Sequence, residues 1–314
     1  MTRTIALLLA ASAALSAPAL AQQTSGQPES GEQAQPSILD RLLDRVLGPA
    51  QQPETAQPAE QAETQSRIDA VLAASVRDED RARDRYRHPA ETLAFFRVTP
   101  GLRVAEYSPG GGWYTRVLAP YLAGSGSYHA VNPDSSAREL TEEQRARVEA
   151  WPRNFSSQVQ LWGGVFANPE MAFESDEIPE RLIGTFDRVL IFRNIHSMLN
   201  GEIALSELRN IRRLLADDGL VGVVQHRAPE GELWERANGS RGYVKQSDVI
   251  ALFDLHGFEL VGTSEINANP NDPANWGGGV WTLPPVLANG DENRSQYLAV
   301  GESDRMTLLF RKTN

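Results

Sequence analysis

The sequence predicts an α/β domain built on a mostly parallel, doubly wound sheet. Two observations carry that expectation. From Leu102 to Arg311, short apolar runs of strand type alternate with runs of helical period. Such alternation is the signature of strands joined by crossover helices. Between the first strand and the first of these helices stands Gly110-Gly111-Gly112. Glycines in such a turn tolerate positive φ and let a ligand approach the backbone.

The elements follow in order. Leu102–Glu106 is the first strand, and Tyr114–Leu122 is the helix after the glycine turn. Gly126–Val131 is the second strand, Val159–Leu161 a weak third and Phe186–Phe192 a strong fourth. Glu202–Leu215 reads as a helix with Ile203, Leu205, Leu208, Ile211, Leu214 and Leu215 toward the core. Asp217-Asp218-Gly219 is a turn, and Leu220–Gln225 is the fifth strand. Asp248–His256 is a helix that stops at Gly257. Phe258–Thr263 and Met306–Arg311 are the sixth and seventh strands. Upstream, Arg67–Tyr86 reads as a charged helix. Asp78 with Arg81, Asp80 with Arg83, and Asp84 with Arg87 are spaced to pair along a solvated face. Pro89 opens a second helix that runs to Arg97.

The rest of the chain reads differently. Arg3, the apolar stretch Ile5–Ala17 and the small-x-small step Ala19-Leu20-Ala21 form the three-part pattern of a cleaved signal peptide, residues 1–21. That pattern predicts a periplasmic or secreted protein. Residues 22–65 are rich in Gln, Pro, Glu, Ala and Ser and read as a disordered tether. Within it Ile38, Leu39, Leu42, Leu43, Val46 and Leu47 recur at helical spacing. This short helix, 38–47, is a candidate contact for a protein partner or a membrane surface, although isolated helices of this length are weak. Residues 66–314 form the domain. The absence of cysteine excludes disulfides, thiolate metal sites and Cys nucleophiles. A net charge of −11 with no basic patch makes nucleic acid a poor partner. The five histidines lack ligand spacing, so no metal site is expected.

The most informative stretch reads Val104-Ala-Glu-Tyr-Ser-Pro-Gly-Gly-Gly-Trp-Tyr-Thr-Arg-Val-Leu118. Glu106 closes a strand and suits a charged amino group. The helix that follows the glycines offers free N–H groups at its start. The pattern Gly-x-Gly-x-x-Gly of dinucleotide-binding folds does not read in register here. The stretch resembles motif I of class I S-adenosylmethionine (SAM)-dependent methyltransferases, Glu/Asp-x-Gly-x-Gly-x-Gly. Glu106, Gly110 and Gly112 match it, and Ser108 stands where the first glycine usually is. Gly257 with Phe258-Glu-Leu-Val, then a final apolar strand, is similar to that family's closing hairpin. Asp217–Gln225 is similar to its helix–turn–strand before strand 5.

More narrowly, Arg87-His88-Pro89, Pro109–Tyr114, Phe192–His196 and Asp304–Lys312 resemble a group of exported bacterial methyltransferases. The resemblance implies a Rossmann-like class I methyltransferase fold: a mostly parallel seven-stranded sheet, helices on both faces and an antiparallel last strand. It also implies SAM as cofactor and methyl transfer to a small-molecule acceptor. By the same resemblance Glu106, Ser108, Gly110, Gly111 and Gly112 would border the cofactor. An acid normally ends strand 2 and grips the ribose. Here Asn132 stands in that place, with Asp134 two residues on. The alternative is an exported binding protein that keeps the fold without catalysis.

Ligands of parallel α/β sheets sit outside the carboxyl ends of the strands. Arg193, Asn194 and His196 follow strand 4, and His226 and Arg227 follow strand 5. Where an acceptor carries a proton, a base is needed. His196 is the first candidate and His226 the second, because imidazole titrates near neutral pH. His88 is a more remote one. Trp113 and Tyr114 either border the pocket or pack on the sheet. The long segment 265–303 between strands 6 and 7 is a candidate lid over the acceptor.

Overall fold

The computed structural model describes residues 58–136, 139–162 and 171–313. The signal segment 1–21, the short helix 38–47 and most of the tether lie outside those residues. The first helix, α1, spans Pro58–Ala73, so residues 58–65 of the stretch expected to be tether are helical. Ile68 and Val71 bury its inner side in the core.

The charged run after α1 is not one solvated helix. It breaks into two 3-10 turns, Ser75–Arg77 and Arg81–Arg83, and the short helix α2, Asp84–Arg87. The tighter turns carry the side chains off a common face. Only Asp78 and Arg81 pair as the spacing suggests. Asp84 binds Arg77 instead, and Asp80 binds Arg116 from another helix. Arg77 and Arg87 are buried. The helix α3, Pro89–Phe95, follows a left-handed His88.

The sheet then builds up. Strand β1 (Arg103–Tyr107) leads through the glycine turn to α4 (Thr115–Leu122), and β2 spans Ser127–Asn132. Val159–Leu161, expected as a weak strand, closes a long helix α5, Glu142–Leu161. Two reasons favour helix. Thr141 and Gln144 form a reciprocal capping box at its start. Phe155 and Val159, four residues apart, bury one face. The third strand, β3, is Ala172–Glu174.

Strand β4 (Phe186–Phe192) is followed by α6 (Ile195–Asn200) and α7 (Ala204–Leu214). On α7, Leu208, Ile211 and Leu214 are buried as expected, but Leu205 is exposed. Strand β5 runs from Leu215 to Ala228. The Asp217-Asp218-Gly219 turn is a bulge inside it: Phe186 pairs with Leu215, and Arg188 already pairs with Leu220. After the short helix α8 (Trp234–Ala237), a small strand β6 (Val244–Lys245) pairs with the end of β5 and adds an eighth strand. The helix α9 (Gln246–Leu255) and strands β7 (Phe258–Ser264) and β8 (Arg305–Lys312) complete the sheet. Between β7 and β8 lie the 3-10 turn Gly279–Thr282 and the helix α10, Arg294–Val300.

The strand order is β3-β2-β1-β4-β5-β8-β7, with β6 beside β5. Neighbours along β3 to β5 pair in parallel, while β8 pairs antiparallel to both β5 and β7. The mostly parallel sheet with an antiparallel last strand is as the sequence predicts. Side chains alternate between two cores, as the strand pleat requires. Val104, Leu190, Phe192 and Val224 face one core with α1, α3, α4 and α5. Ala105, Val189, Ile191 and Val223 face the other with α6, α7 and α9. Gly222 belongs to the first face, where any Cβ would meet the Phe96 ring at about 2.6 Å. The chain leaves β1 toward β2 on one side and β4 on the other. That switch point puts a crevice at the carboxyl end of β1.

Candidate active site

A cavity of about 450 Å³ opens at this edge, within the usual size of a small-molecule site. Its lining includes Glu106 at the end of β1, Ser108, Gly110 and Gly111 of the turn, and Trp113 and Tyr114. Arg193, Asn194 and His196 enter from the end of β4, and His226 from β5. Trp281, Pro284, Pro285 and Val286 of the 265–303 segment form another wall. The segment expected as a lid therefore borders the same space as the glycine turn.

The turn is shaped by left-handed residues: Ser108 has φ 50°, Gly110 56° and Gly112 73°. Ser108 holds a conformation that glycine adopts without strain. Added Cβ atoms at Gly110 and Gly111 would meet nothing within 4 Å, so both present bare backbone. Gly112 does something else. A Cβ there would lie 2.4 Å from the Trp162 ring, which packs directly on it. The Arg116 guanidinium lies over the Trp162 ring at 4.7 Å and binds Asp80 through two nitrogens at 2.6 and 2.8 Å.

Glu106 is buried. Its Oε2 accepts 2.7 Å hydrogen bonds from Thr115 and Tyr128. Burial pushes its carboxyl up to about 7, against the lowering effect of those bonds and of the Arg193 and Arg116 charges. Asn194 is a brace: its amide donates to the carbonyls of Ser108 and Phe192, both at 3.1 Å. It thereby ties the end of β4 to the glycine turn and has no hydrogen left over for chemistry. Arg193, with φ 60°, is left-handed too.

The two histidines meet. Their ring centroids are 5.7 Å apart. Gln225 donates its amide to the Gly242 carbonyl at 2.8 Å, and its Oε1 and Nε2 both lie 3.4 Å from His196 Nδ1. With Nδ1 donating to Oε1, the ring's Nε2 is left as an acceptor; with Nδ1 accepting from the amide, Nε2 carries the proton. His226 Nδ1 lies 2.6 Å from Ser303 Oγ. Desolvation lowers the pKa of both rings, and for His226 the Arg305 charge adds to it. Both are neutral at physiological pH.

Other expected residues fall elsewhere. Asn132 ends β2 beside the turn, where Ser108 N–H donates to the Val131 carbonyl at 2.7 Å. Asp134 does not line the cavity. Its carboxylate accepts the Ser136 N–H and lies near Glu174 and Asp176. Arg227 points away and is held by Asp304 and Glu265, and His88 is not part of the lining. Trp113 and Tyr114 do both things expected of them: they line the cavity, and Tyr114 stacks on Phe192 at 3.5 Å.

Sequence reasoning missed an ion cluster. Glu302 accepts from Arg83 at 2.6 Å, from Arg87 at 3.1 Å and from Arg305. It joins the segment before α2 to the end of the 265–303 segment. Nothing local in sequence signals it, because Arg83 and Glu302 stand 219 residues apart.

No family model and no curated protein matches this sequence. Solved structures match it at low identity and low TM-score. A SAM-dependent methyltransferase from Aquifex aeolicus is 17% identical, over 64% of this chain and 92% of that one, with a TM-score of 0.42. The 1,6-didemethyltoxoflavin-N1-methyltransferase of Burkholderia thailandensis, solved with S-adenosylhomocysteine (SAH), is 15% identical over 82% and 92%, with a TM-score of 0.41. The trans-methyltransferase CalH, also with SAH, is 18% identical over 80% and 67%, with a TM-score of 0.41.

Proposed function

We propose that this protein is a SAM-dependent methyltransferase that acts on a small-molecule acceptor outside the cytoplasm. One observation carries the reading. Glu106 and the bare backbone of Gly110 and Gly111 share a single cavity with His196 and His226. The strand order, with antiparallel β8 set between β5 and β7, supports it, since the motif resemblance implies that arrangement. The export signal read in residues 1–21 supports the location.

The residues present suit the cofactor's amino-acid end. Glu106, Ser108, Gly110 and Gly111 would hold it, and Asn132 would take the ribose. When bound, SAM supplies an electrophilic methyl group. The protein's own work is positioning and proton transfer. For an acceptor hydroxyl, His196 is the residue that would take the hydroxyl proton. His226 keeps a second imidazole beside it. Trp281, Pro284, Pro285 and Val286 give that side of the cavity an apolar wall.

The test is thermal unfolding of the protein lacking residues 1–21, with SAM, SAH and NAD(P). A ligand that binds only the folded state raises the melting temperature. A rise with SAM and SAH is the expected result. No rise at millimolar SAH, or a rise with NAD(P) alone, overturns the reading.

A further inference from the structure

The cavity holds more positive charge than its carboxylates balance. Five arginines line it, Arg83, Arg87, Arg116, Arg193 and Arg305, against Asp80, Glu106 and Glu302. Arg116 is closed on Asp80. Arg83, Arg87 and Arg305 share the single carboxylate of Glu302. Even so, Nη1 of Arg87 and Nε of Arg305 have no hydrogen-bond partner among the described residues. Arg193 forms no ion pair among the described residues, although its charge acts on Glu106, Tyr114, His196 and His226. Desolvation, with the Arg305 and Arg83 charges beside it and Glu302 opposing, pushes its guanidinium down to about 10. An uncompensated cation in a low-dielectric cavity is costly and calls for an anion. The strained left-handed backbone at Arg193 sets where that cation stands.

The wall beside it is apolar. Trp281 and Val286 remain 37% and 56% exposed and face the cavity. The Trp281 ring stands edge-on to His196 at 6.1 Å. His196 is thus neighbour to both the free cation and the apolar wall.

We propose that the acceptor is an amphiphilic organic anion, with its oxyanion group on Arg193 and its apolar body against Trp281 and the Pro284-Pro285 step. The word acceptor rests on the methyltransferase reading; the anion site does not.

The test is calorimetric titration of the SAH-loaded protein with benzoate, with phenyl phosphate, and with benzamide as the uncharged control. At least one anion is expected to bind tenfold or more tightly than benzamide, the scale of a charge-assisted hydrogen bond. R193Q should lose that factor while SAH affinity holds, and R193K should retain part of it. Circular dichroism and the melting temperature check that the variants fold. If benzamide binds as well as both anions, or if R193Q binds them unchanged, the proposal is overturned. If R193Q weakens SAH and the anions compete with SAH, Arg193 holds the cofactor's carboxylate and the acceptor assignment falls. If SAH fails to bind while the anions still bind through Arg193, the anion site stands and the methyltransferase reading falls.

Discussion

His196 and His226 reach one cavity from two different strand ends, with ring centroids 5.7 Å apart. Only one of them can stand nearest the reacting atom. With His196 as the base, His196→Ala should lower kcat by about 100-fold or more. His226→Ala should cost less and act partly through the Ser303 contact. Because desolvation lowers both pKa values, the neutral base is fully present at pH 7. Methyl transfer should stay flat above neutral pH and fall only below the ordinary histidine range. A bell-shaped or rising profile through pH 7 would argue against either ring as the base.

Glu106 should make the apo protein less stable at higher pH. Its folded pKa is raised from 4.5 to about 7 by burial. The folded state therefore holds its proton more tightly than the unfolded state does. That contribution is complete below 4.5 and is lost as pH rises through about 7, and amounts to about 3 kcal/mol. Glu106→Gln should abolish this slope in urea-unfolding curves measured from pH 5 to 8, and should weaken SAH binding. A variant with the same slope as the parent would show that another group carries it.

His129 should act in the opposite sense. It is buried on β2, both ring nitrogens lack hydrogen-bond partners, and Phe186 meets the ring edge-on at 5.0 Å. Desolvation lowers its pKa from 6.5 to about 4. The stability tied to its neutral form is present above 6.5 and is lost as pH falls toward 4, by about 3 kcal/mol. His129→Phe should raise the melting temperature at pH 5 more than at pH 8. Equal shifts at both values would rule out the titration.

Glu302→Gln should destabilise the fold by about 3–5 kcal/mol, because it leaves three arginines facing one another with no carboxylate. Chemical denaturation measures the loss. The 265–303 segment should also become easier to cleave by protease, since Glu302 fastens its end. Unchanged stability would mean that the arginines find water or another acceptor.

Gly112→Ala should cost about 1–3 kcal/mol, from the positive φ and the clash with Trp162. Replacing Trp162 with Ala in the same chain should return part of that loss. Gly111→Ala, with open space around its Cβ, should be nearly neutral in stability. A double variant no better than Gly112→Ala would leave φ as the only cause.

The sequence by itself determined the doubly wound sheet, the order of its main elements and the place of the glycine turn. Those depend on local periodicity and on residues close together in the chain. It also put His196, His226, Arg193 and Glu106 at strand ends, which in a parallel sheet means one edge. It misread Val159–Leu161, because three apolar or neutral residues at the end of a helix look like a short strand when the capping box eighteen residues earlier is overlooked. Tertiary structure alone decided which neighbours each site residue meets. Asn194 became a brace, Gly112 a seat for Trp162, and Asp134 a member of an acidic group outside the cavity. The cluster around Glu302, with Arg193 in the same cavity, joins groups far apart in the chain. Ion pairs and cavities are made by closure of the fold, and no spacing along the sequence encodes them.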